Sequence, residues 1–278
     1  MGKIMMVMRK ILLAMSLLFC TVMPVKSADR AQIAQFMAVT GFDVALESMR
    51  LSARDAPTML GFDADDFGLS WSRLADRMFE PEALKSDALE ILDKALTEDV
   101  LAHATGFYGS DLGQKLVTAE NESHGLEFED REVEGARLAQ ALAARGSPQP
   151  QYFLDMAESI GYVGATIKAY REVQVRFLMA ASLAGLIDQR FDEVDLRAML
   201  AQQDDEVRQA MTDNLIVANA FTYRDFTDRE MEIYRDALAM PQMMEVYELM
   251  NAIHFTIMAD RFERMALEMV NLTPTQEL

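Results

Sequence analysis

The sequence predicts an all-α protein. After residue 28, apolar side chains recur three and four residues apart, which is the spacing that places them on one face of a helix. No segment alternates polar and apolar residues with the period of a strand. The chain has 278 residues, so it is long enough for one large domain or two of ordinary size.

Residues 1–27 have the layout of a secretory signal peptide. A basic start precedes an apolar stretch from residue 11 to residue 23, and the small Ser27 predicts cleavage directly after it. The stretch is shorter than the roughly 20 residues that cross a bilayer, so we expect no stable membrane insertion after cleavage. Because Cys20 lies inside this segment, the rest of the chain has no cysteine for a disulfide or a thiolate metal site. The predicted location is the periplasm.

The mature chain is strongly acidic. The signal segment removes four of the 26 basic residues, which leaves 22 against 45 acidic ones and a formal net charge of −23. Nucleic acids and anionic membrane surfaces would be repelled, so neither is expected as a partner. Solubility is sufficient to explain this net charge. The alternatives are that the charge attracts a basic partner or divalent cations.

Apolar stripes mark the helices in chain order. Pro81 suits a first helical turn, and the prolines and glycine of 146–150 interrupt a helix predicted over 136–145. Residues 55–68 hold proline, glycine and aspartates and predict a solvated loop. The stripes are Ile33, Phe36 and Met37; Trp71, Leu74 and Met78; Leu84, Ala88, Ile91, Leu92 and Ala95; Val194, Met199 and Leu200; and the run from Met243 through Val246, Tyr247, Met250, His254, Ile257 and Met258 to Arg261.

The interruption at residues 147–150 divides the chain after the signal segment nearly in half. We predict a helical domain over 28–146, a linker over 147–150 and a second helical domain over 151–278. The halves can be aligned with an offset of 130 residues, which pairs Thr97 with Thr227 as hydroxyl caps of two short helices. This predicts two similar halves, the second a diverged repeat, packed as a multi-helix bundle or a helical array.

One motif resembles a known family. The residues Thr97-Glu98, Phe107-Tyr108-x-Ser110 and Gly113-x-Lys115-Leu116 resemble the signature TxEE…FYxSPxGxKL of the domain of unknown function 2059 (DUF2059), which is found in exported bacterial proteins. Asp111 stands where the signature has proline. The resemblance implies a helical periplasmic domain, and the family label carries no assigned activity.

Two groups of residues are candidates for binding. Tyr108, Ser110 and Lys115 could line a groove for an anionic or peptide ligand, although helix packing explains the same positions. Met243, Met244 and Met250 belong to a methionine-rich segment, and flexible thioethers suit a groove that accepts apolar helices or peptides. Filling of the core and binding of monovalent copper are the alternatives for the methionines.

Catalytic motifs are sparse. The chain has three histidines; His103 and His254 fall in apolar helical surroundings, whereas His124 stands among Glu120, Glu122, Glu127 and Glu129. We therefore predict no catalytic residue, no metal site and no cofactor. The sequence favours a non-enzymatic module that binds an envelope protein or a peptide. The alternative is an envelope hydrolase that uses carboxylates near His124, and the oligomeric state is left open.

Overall fold

The computed structural model describes residues 29–54, 56–126 and 128–272. Most of these residues are helical, and none of them forms a β-strand, so the predicted all-α class is confirmed. The predicted signal peptide over 1–27, with cleavage after Ser27, lies outside the described residues and stays a prediction.

Helices of 9 to 29 residues follow one another with short connections. The helices of the first half are α1 (Arg30–Thr40), α2 (Phe42–Arg54), α3 (Gly68–Met78), α4 (Pro81–Ala95), α5 (Glu98–Tyr108), α6 (Asp111–His124) and α7 (Phe128–Ala144). Those of the second half are α8 (Gln149–Ser159), α9 (Tyr162–Ala184), α10 (Glu193–Ala201), α11 (Asp204–Thr222), α12 (Asp228–Leu238) and α13 (Pro241–Met269). The predicted loop between α2 and α3 contains two short 3-10 helices, Ala56–Leu60 and Ala64–Phe67.

The predicted helix caps are present. Thr97 Oγ1 accepts a hydrogen bond from the Val100 amide at the start of α5. Thr227 and Glu230 form the predicted capping box, because Thr227 Oγ1 accepts from the Glu230 amide at 3.2 Å and Glu230 Oε2 accepts from the Thr227 amide at 2.7 Å. Helices α5 and α12 each have 11 residues and begin 130 positions apart. The proposed duplication itself stays a prediction.

Helix α13 lies at the centre of the core. It packs along α9 and also contacts α2, α3, α4 and α5, while α7 packs on α11 and α8 packs on α12. Most of the buried apolar side chains form one cluster that runs from Ile33 in α1 to Met269 in α13. Burying this surface is the main favourable contribution to stability in a chain without disulfides.

Helices of both predicted domains therefore contribute to the same core. The segment 147–150 is short: α7 ends at Ala144, Gly146 adopts the left-handed conformation with φ of 66°, and α8 already begins at Gln149. The side chain of Gln149 donates to the carbonyl of Phe226 at 3.0 Å. The division into two domains stays a prediction, and a test of it is given in the Discussion.

One stripe read from the sequence faces solvent. Helix α10 forms as its spacing predicts, but Val194 is 74 % exposed and Met199 47 % exposed. The buried side chain of this helix is Leu196, at 1 % exposure. A nine-residue helix packed by one side against α9 buries only a narrow stripe, and periodicity alone does not say which one.

Within the described ranges, no helix is both long enough and apolar enough to cross a membrane.

Candidate functional site

The motif residues of the first candidate group lie in three different surroundings. Tyr108 is the last residue of α5 and is 2 % exposed. Ser110 caps α6, since its hydroxyl accepts from the Gly113 amide at 3.1 Å and donates to the Phe107 carbonyl at 2.6 Å. The motif glycine lets the two helices meet: a Cβ on Gly113 would lie 2.3 Å from the carbonyl oxygen of Phe107.

Lys115 faces the second half of the chain. Its ammonium lies 2.7 Å from Glu230 Oε1, donates to the Asp225 carbonyl at 3.0 Å and sits 4.1 Å from the centre of the Phe226 ring. The hydrogen bond from Lys115, and to a smaller extent that from the Thr227 amide, lowers the pKa of Glu230 to about 2. Tyr108, Ser110 and Lys115 thus do not line one groove, and their predicted role in binding stays a prediction.

The three methionines are also separated by the structure. Met243 is fully buried in the core, and Met250 is partly buried and packs against it. Met244 is 44 % exposed and lines a groove on the surface. Seven residues make about two helical turns, so Met243 and Met250 share the inward face of α13, whereas Met244, one residue on, points about 100° away and lies at the surface.

That groove, which we call the α9–α13 trough, has a volume of about 730 Å³. It lies between the end of α8, the part of α9 up to Arg176 and one face of α13 from Met244 to Ala259. These 15 steps along α13 correspond to a length of about 22 Å. The lining includes small residues from both walls: Gly161, Gly164, Ala165, Ala169, Ala252 and Ala259.

The small side chains keep the trough open. A Cβ on Gly164 would meet no atom within 4 Å, so this wall of α9 borders free space. Phe255 and Met244 supply larger apolar surface. Charged side chains also line it, and the pair Glu172 and Arg176, joined at 2.7 Å, stands at the α9 side. A long apolar depression flanked by charges has the shape that receives an amphipathic helix.

A second feature lies inside the fold, and we call it the tyrosine–glutamate cluster: Glu120 with Tyr108, Tyr223, Tyr234 and Tyr247. Glu120 Oε1 accepts from the hydroxyls of Tyr223 at 2.8 Å and Tyr234 at 2.9 Å. The Tyr234 hydroxyl lies 3.1 Å from those of Tyr108 and Tyr247, which also bond to each other. The cluster joins α5 and α6 to α12, α13 and the residue that ends α11.

The electrostatics of the cluster follow from its burial. Burial raises the pKa of the Glu120 carboxyl, and the hydrogen bonds from Tyr223 and Tyr234 lower it by less. Burial also raises the pKa of all four tyrosines, and the charge of Glu120 raises it further. All four phenols therefore stay neutral and act as hydrogen-bond donors.

The surroundings of His124 differ from the sequence-based picture of a histidine among carboxylates. Glu120 turns to the tyrosines, and Glu122 faces Arg224 at 3.8 Å. Burial and the neighbouring Arg131 lower the pKa of His124, although part of this residue is exposed at the surface. The side chains of Glu127 and Glu129 lie outside what the structure describes. The hydrolase alternative stays a prediction.

No group of three or more histidine, cysteine, aspartate or glutamate side chains in the described residues is arranged to hold a metal ion. His254 is near His124, and burial together with that neighbour lowers the pKa of His254 to about 4. Both imidazoles are therefore neutral at pH 7.

Sequence reasoning missed the trough and the cluster for different reasons. The trough had a visible signal, because Gly161, Gly164, Ala165 and Ala169 recur at helical spacing. The cluster had none, since its tyrosines lie 11 to 139 residues apart and only folding brings their hydroxyls together. The sequence marked Tyr108 through the motif, Tyr247 as part of a helical stripe and Glu120 as a neighbour of His124, but nothing in it grouped them.

The fold and these features define a helical protein with a surface trough and a buried polar cluster. Residues 82–127 match the model of a family described as an uncharacterized protein conserved in bacteria (DUF2059), so the resemblance is confirmed over that segment. The match covers α5 and α6, including Tyr108, Ser110, Lys115 and Glu120. No curated protein and no solved structure matches the chain.

Proposed function

We propose that this is an exported periplasmic protein without enzymatic activity, which binds an amphipathic helix of an envelope protein in the α9–α13 trough. The observation that carries the proposal is the trough itself: about 730 Å³ of open space along one face of α13, with glycine and alanine in its walls. Small residues at a helix interface let a second helix approach closely, and Met244 and Phe255 offer it apolar surface.

The charges of the trough specify the partner further. Two acidic residues of the lining, Glu158 and Glu248, form no ion pair with another residue in the described ranges. Of the basic residues that line it there, only Lys168 is also without an ion pair. The mature chain carries a net charge of −23. We therefore expect a helix with one apolar face and lysine or arginine beside it, since complementary charges speed association and exclude acidic competitors.

Export is supported by the sequence of residues 1–27, with its basic start and apolar stretch. We expect the protein recovered from the envelope fraction to begin at Ala28. N-terminal sequencing and the intact mass check this. A full-length protein retained in the cytosol would contradict it.

The trough can be blocked without disturbing the fold. We expect Gly164→Leu to lower partner binding about tenfold or more, because the leucine fills space that the partner's apolar face would occupy. Stability should be unchanged or slightly higher, since leucine replaces glycine inside a helix. To measure binding, a photo-crosslinking residue replaces Ala252, which is exposed in the trough, and crosslinking is carried out in the envelope. The peptide attached to the probe is then sequenced.

Gly106→Leu is the matched control. Gly106 also lies inside a helix, is exposed and has no atom within 4 Å of its would-be Cβ, but it belongs to α5, outside the trough. The proposal is supported if the probe captures a basic amphipathic segment in the wild type and in Gly106→Leu, but not in Gly164→Leu. Equal capture by both variants, or capture of acidic segments, contradicts it.

A further inference from the structure

Helix α10 is attached to the rest of the fold by little apolar contact. Its buried side chain is Leu196, at 1 % exposure, and this residue does not belong to the large core cluster. Val194 and Met199 of the same helix are exposed, and the helix packs against α9. Segments with few buried apolar contacts open locally at a lower free energy than the core does. We therefore expect α10 to detach before α9 or α13 unfolds.

The chain is fixed on both sides of α10. Before the helix, Leu186 and Ile187 pack against the core cluster. After it, Asp204 at the start of α11 forms an ion pair with Arg171 of α9. Residues 193–201 are thus a strap that can lift from α9 while both flanking segments stay in place, and we call them the α10 strap.

An ion pair fastens the α10 strap to the wall of the trough. Arg197 Nη1 lies 2.8 Å from Glu172 Oε2 in α9, and this hydrogen bond contributes most to the lowered pKa of Glu172. The other oxygen of Glu172 lies 2.7 Å from Arg176 Nε. Both Glu172 and Arg197 are partly exposed, so the pair between them is weak and can be exchanged for another.

Glu172 differs from the other carboxylates of the trough. It lines the trough, and through Arg197 it also bonds a residue outside the lining. Glu158 and Glu248, the other acidic residues of the lining, form no ion pair in the described part of the chain. A lysine or arginine that enters the trough beside Glu172 therefore competes with Arg197 for the same carboxylate oxygen.

We propose that Glu172 couples the trough to the α10 strap, an inference that rests on the function proposed above. A basic side chain of the bound helix takes the place of Arg197 at Glu172, and the strap then lifts from α9. Coupling between two sites is reciprocal, so a lifted strap leaves Glu172 free and raises the affinity of the trough for a basic helix. A helix without a cation at this point leaves the strap closed.

The first test uses the full chain without a partner, and amide exchange measures the opening of each helix. In the wild type we expect the amides of α10 to exchange faster than those of α9 and α13. Glu172→Gln should speed the exchange of α10 about two- to fivefold. Arg197→Gln should have the same effect, and the double variant should be no faster than either single variant, because both substitutions remove one interaction.

Glu263→Gln is the matched control. Glu263 lies 3.7 Å from Arg176 and so belongs to the same group of charges, but it does not bond α10. Its removal should leave the exchange of α10 as in the wild type. Leu196→Ala should speed that exchange about tenfold or more, while α13 stays protected. The coupling is overturned if α10 exchanges only as slowly as α9 and α13, or if the effects of Glu172→Gln and Arg197→Gln multiply in the double variant.

The second test adds an occupant of the trough. The probe is a synthetic peptide that forms a helix with leucine on one face and lysine beside it, and calorimetry measures its binding. We expect the bound peptide to speed the exchange of α10 in the wild type, but to add nothing in Glu172→Gln. Arg197→Gln should bind the peptide about two- to fivefold more tightly than the wild type, by reciprocity.

The outcomes separate this inference from the proposed function. Gly164→Leu fills the trough, so weaker binding to this variant shows that the peptide lies there. Binding in the trough without faster exchange of α10 refutes the coupling and leaves the proposed function standing. If the peptide does not bind, the proposed function is contradicted, and the exchange of the peptide-free variants still decides whether Glu172 fastens the strap.

Discussion

Gly113→Ala is expected to destabilise the protein by about 3 kcal/mol or more, or to prevent folding. A Cβ at this position would lie 2.3 Å from the carbonyl oxygen of Phe107 and 2.5 Å from the Cα of Tyr108. These are backbone atoms, so no side-chain rotation relieves the contact. The turn between α5 and α6 would have to open, and this would displace Tyr108 from the tyrosine–glutamate cluster. The measurement is the free energy of unfolding in urea.

Gly106→Ala controls for the change of residue type. It lies in the same helix as Phe107 and Tyr108, and its added Cβ would meet no atom within 4 Å. Alanine favours a helix over glycine by up to about 1 kcal/mol, so this variant should be as stable as the wild type or more stable. If Gly113→Ala were equally well tolerated, the close approach of α5 and α6 would be wrong.

Phe262→Ala is expected to lower the free energy of unfolding by about 3–5 kcal/mol, because it leaves a cavity where a ring that is only 3 % exposed was packed. Phe262 in α13 packs edge-on against Phe79, with ring centres 5.7 Å apart, and against Phe177 at 6.1 Å. Phe79 ends α3 in the first half, and Phe177 lies in α9. The three rings therefore connect segments from both sides of residues 147–150.

The same variant tests the domain prediction. We expect one cooperative unfolding transition in the wild type and one, at lower urea, in Phe262→Ala, because both halves share the core. Phe255→Ala is the matched control, because Phe255 also lies in α13 but is only partly buried, beside the trough. This variant should lower the free energy of unfolding clearly less than Phe262→Ala does. Two separate transitions, of which only the second shifts, would instead support independent domains at 28–146 and 151–278.

The sequence predicted most helices because their signals are local. The cap at Thr97, the capping box of Thr227 with Glu230 and the proline at the start of α4 each act within one helical turn, so they can be read without the rest of the molecule. The buried stripe at Trp71, Leu74 and Met78 was predicted for the same reason. Local periodicity failed at α10, where it gave Val194 and Met199 in place of Leu196, because tertiary packing chooses which face is covered.

The candidate site was less predictable. Met244 lines the trough and its role in binding stays a prediction, whereas Met243, its neighbour, is fully buried. The motif around Tyr108 and Lys115 suggested a ligand groove, whereas Lys115 pairs with Glu230 and Tyr108 bonds with two tyrosines. A motif identifies important positions, but it does not say which distant residue will lie opposite each of them.

The sequence by itself determined the helical class, the positions of the caps and turns and the resemblance to DUF2059 over one segment, since each of these depends on residues a few positions apart. Only the tertiary structure decided that Glu120 accepts hydrogen bonds from Tyr223 and Tyr234 and that small residues of α9 and α13 leave a trough open. Such features depend on which helix faces come together, and contacts between residues more than a hundred positions apart leave no periodic trace in one chain.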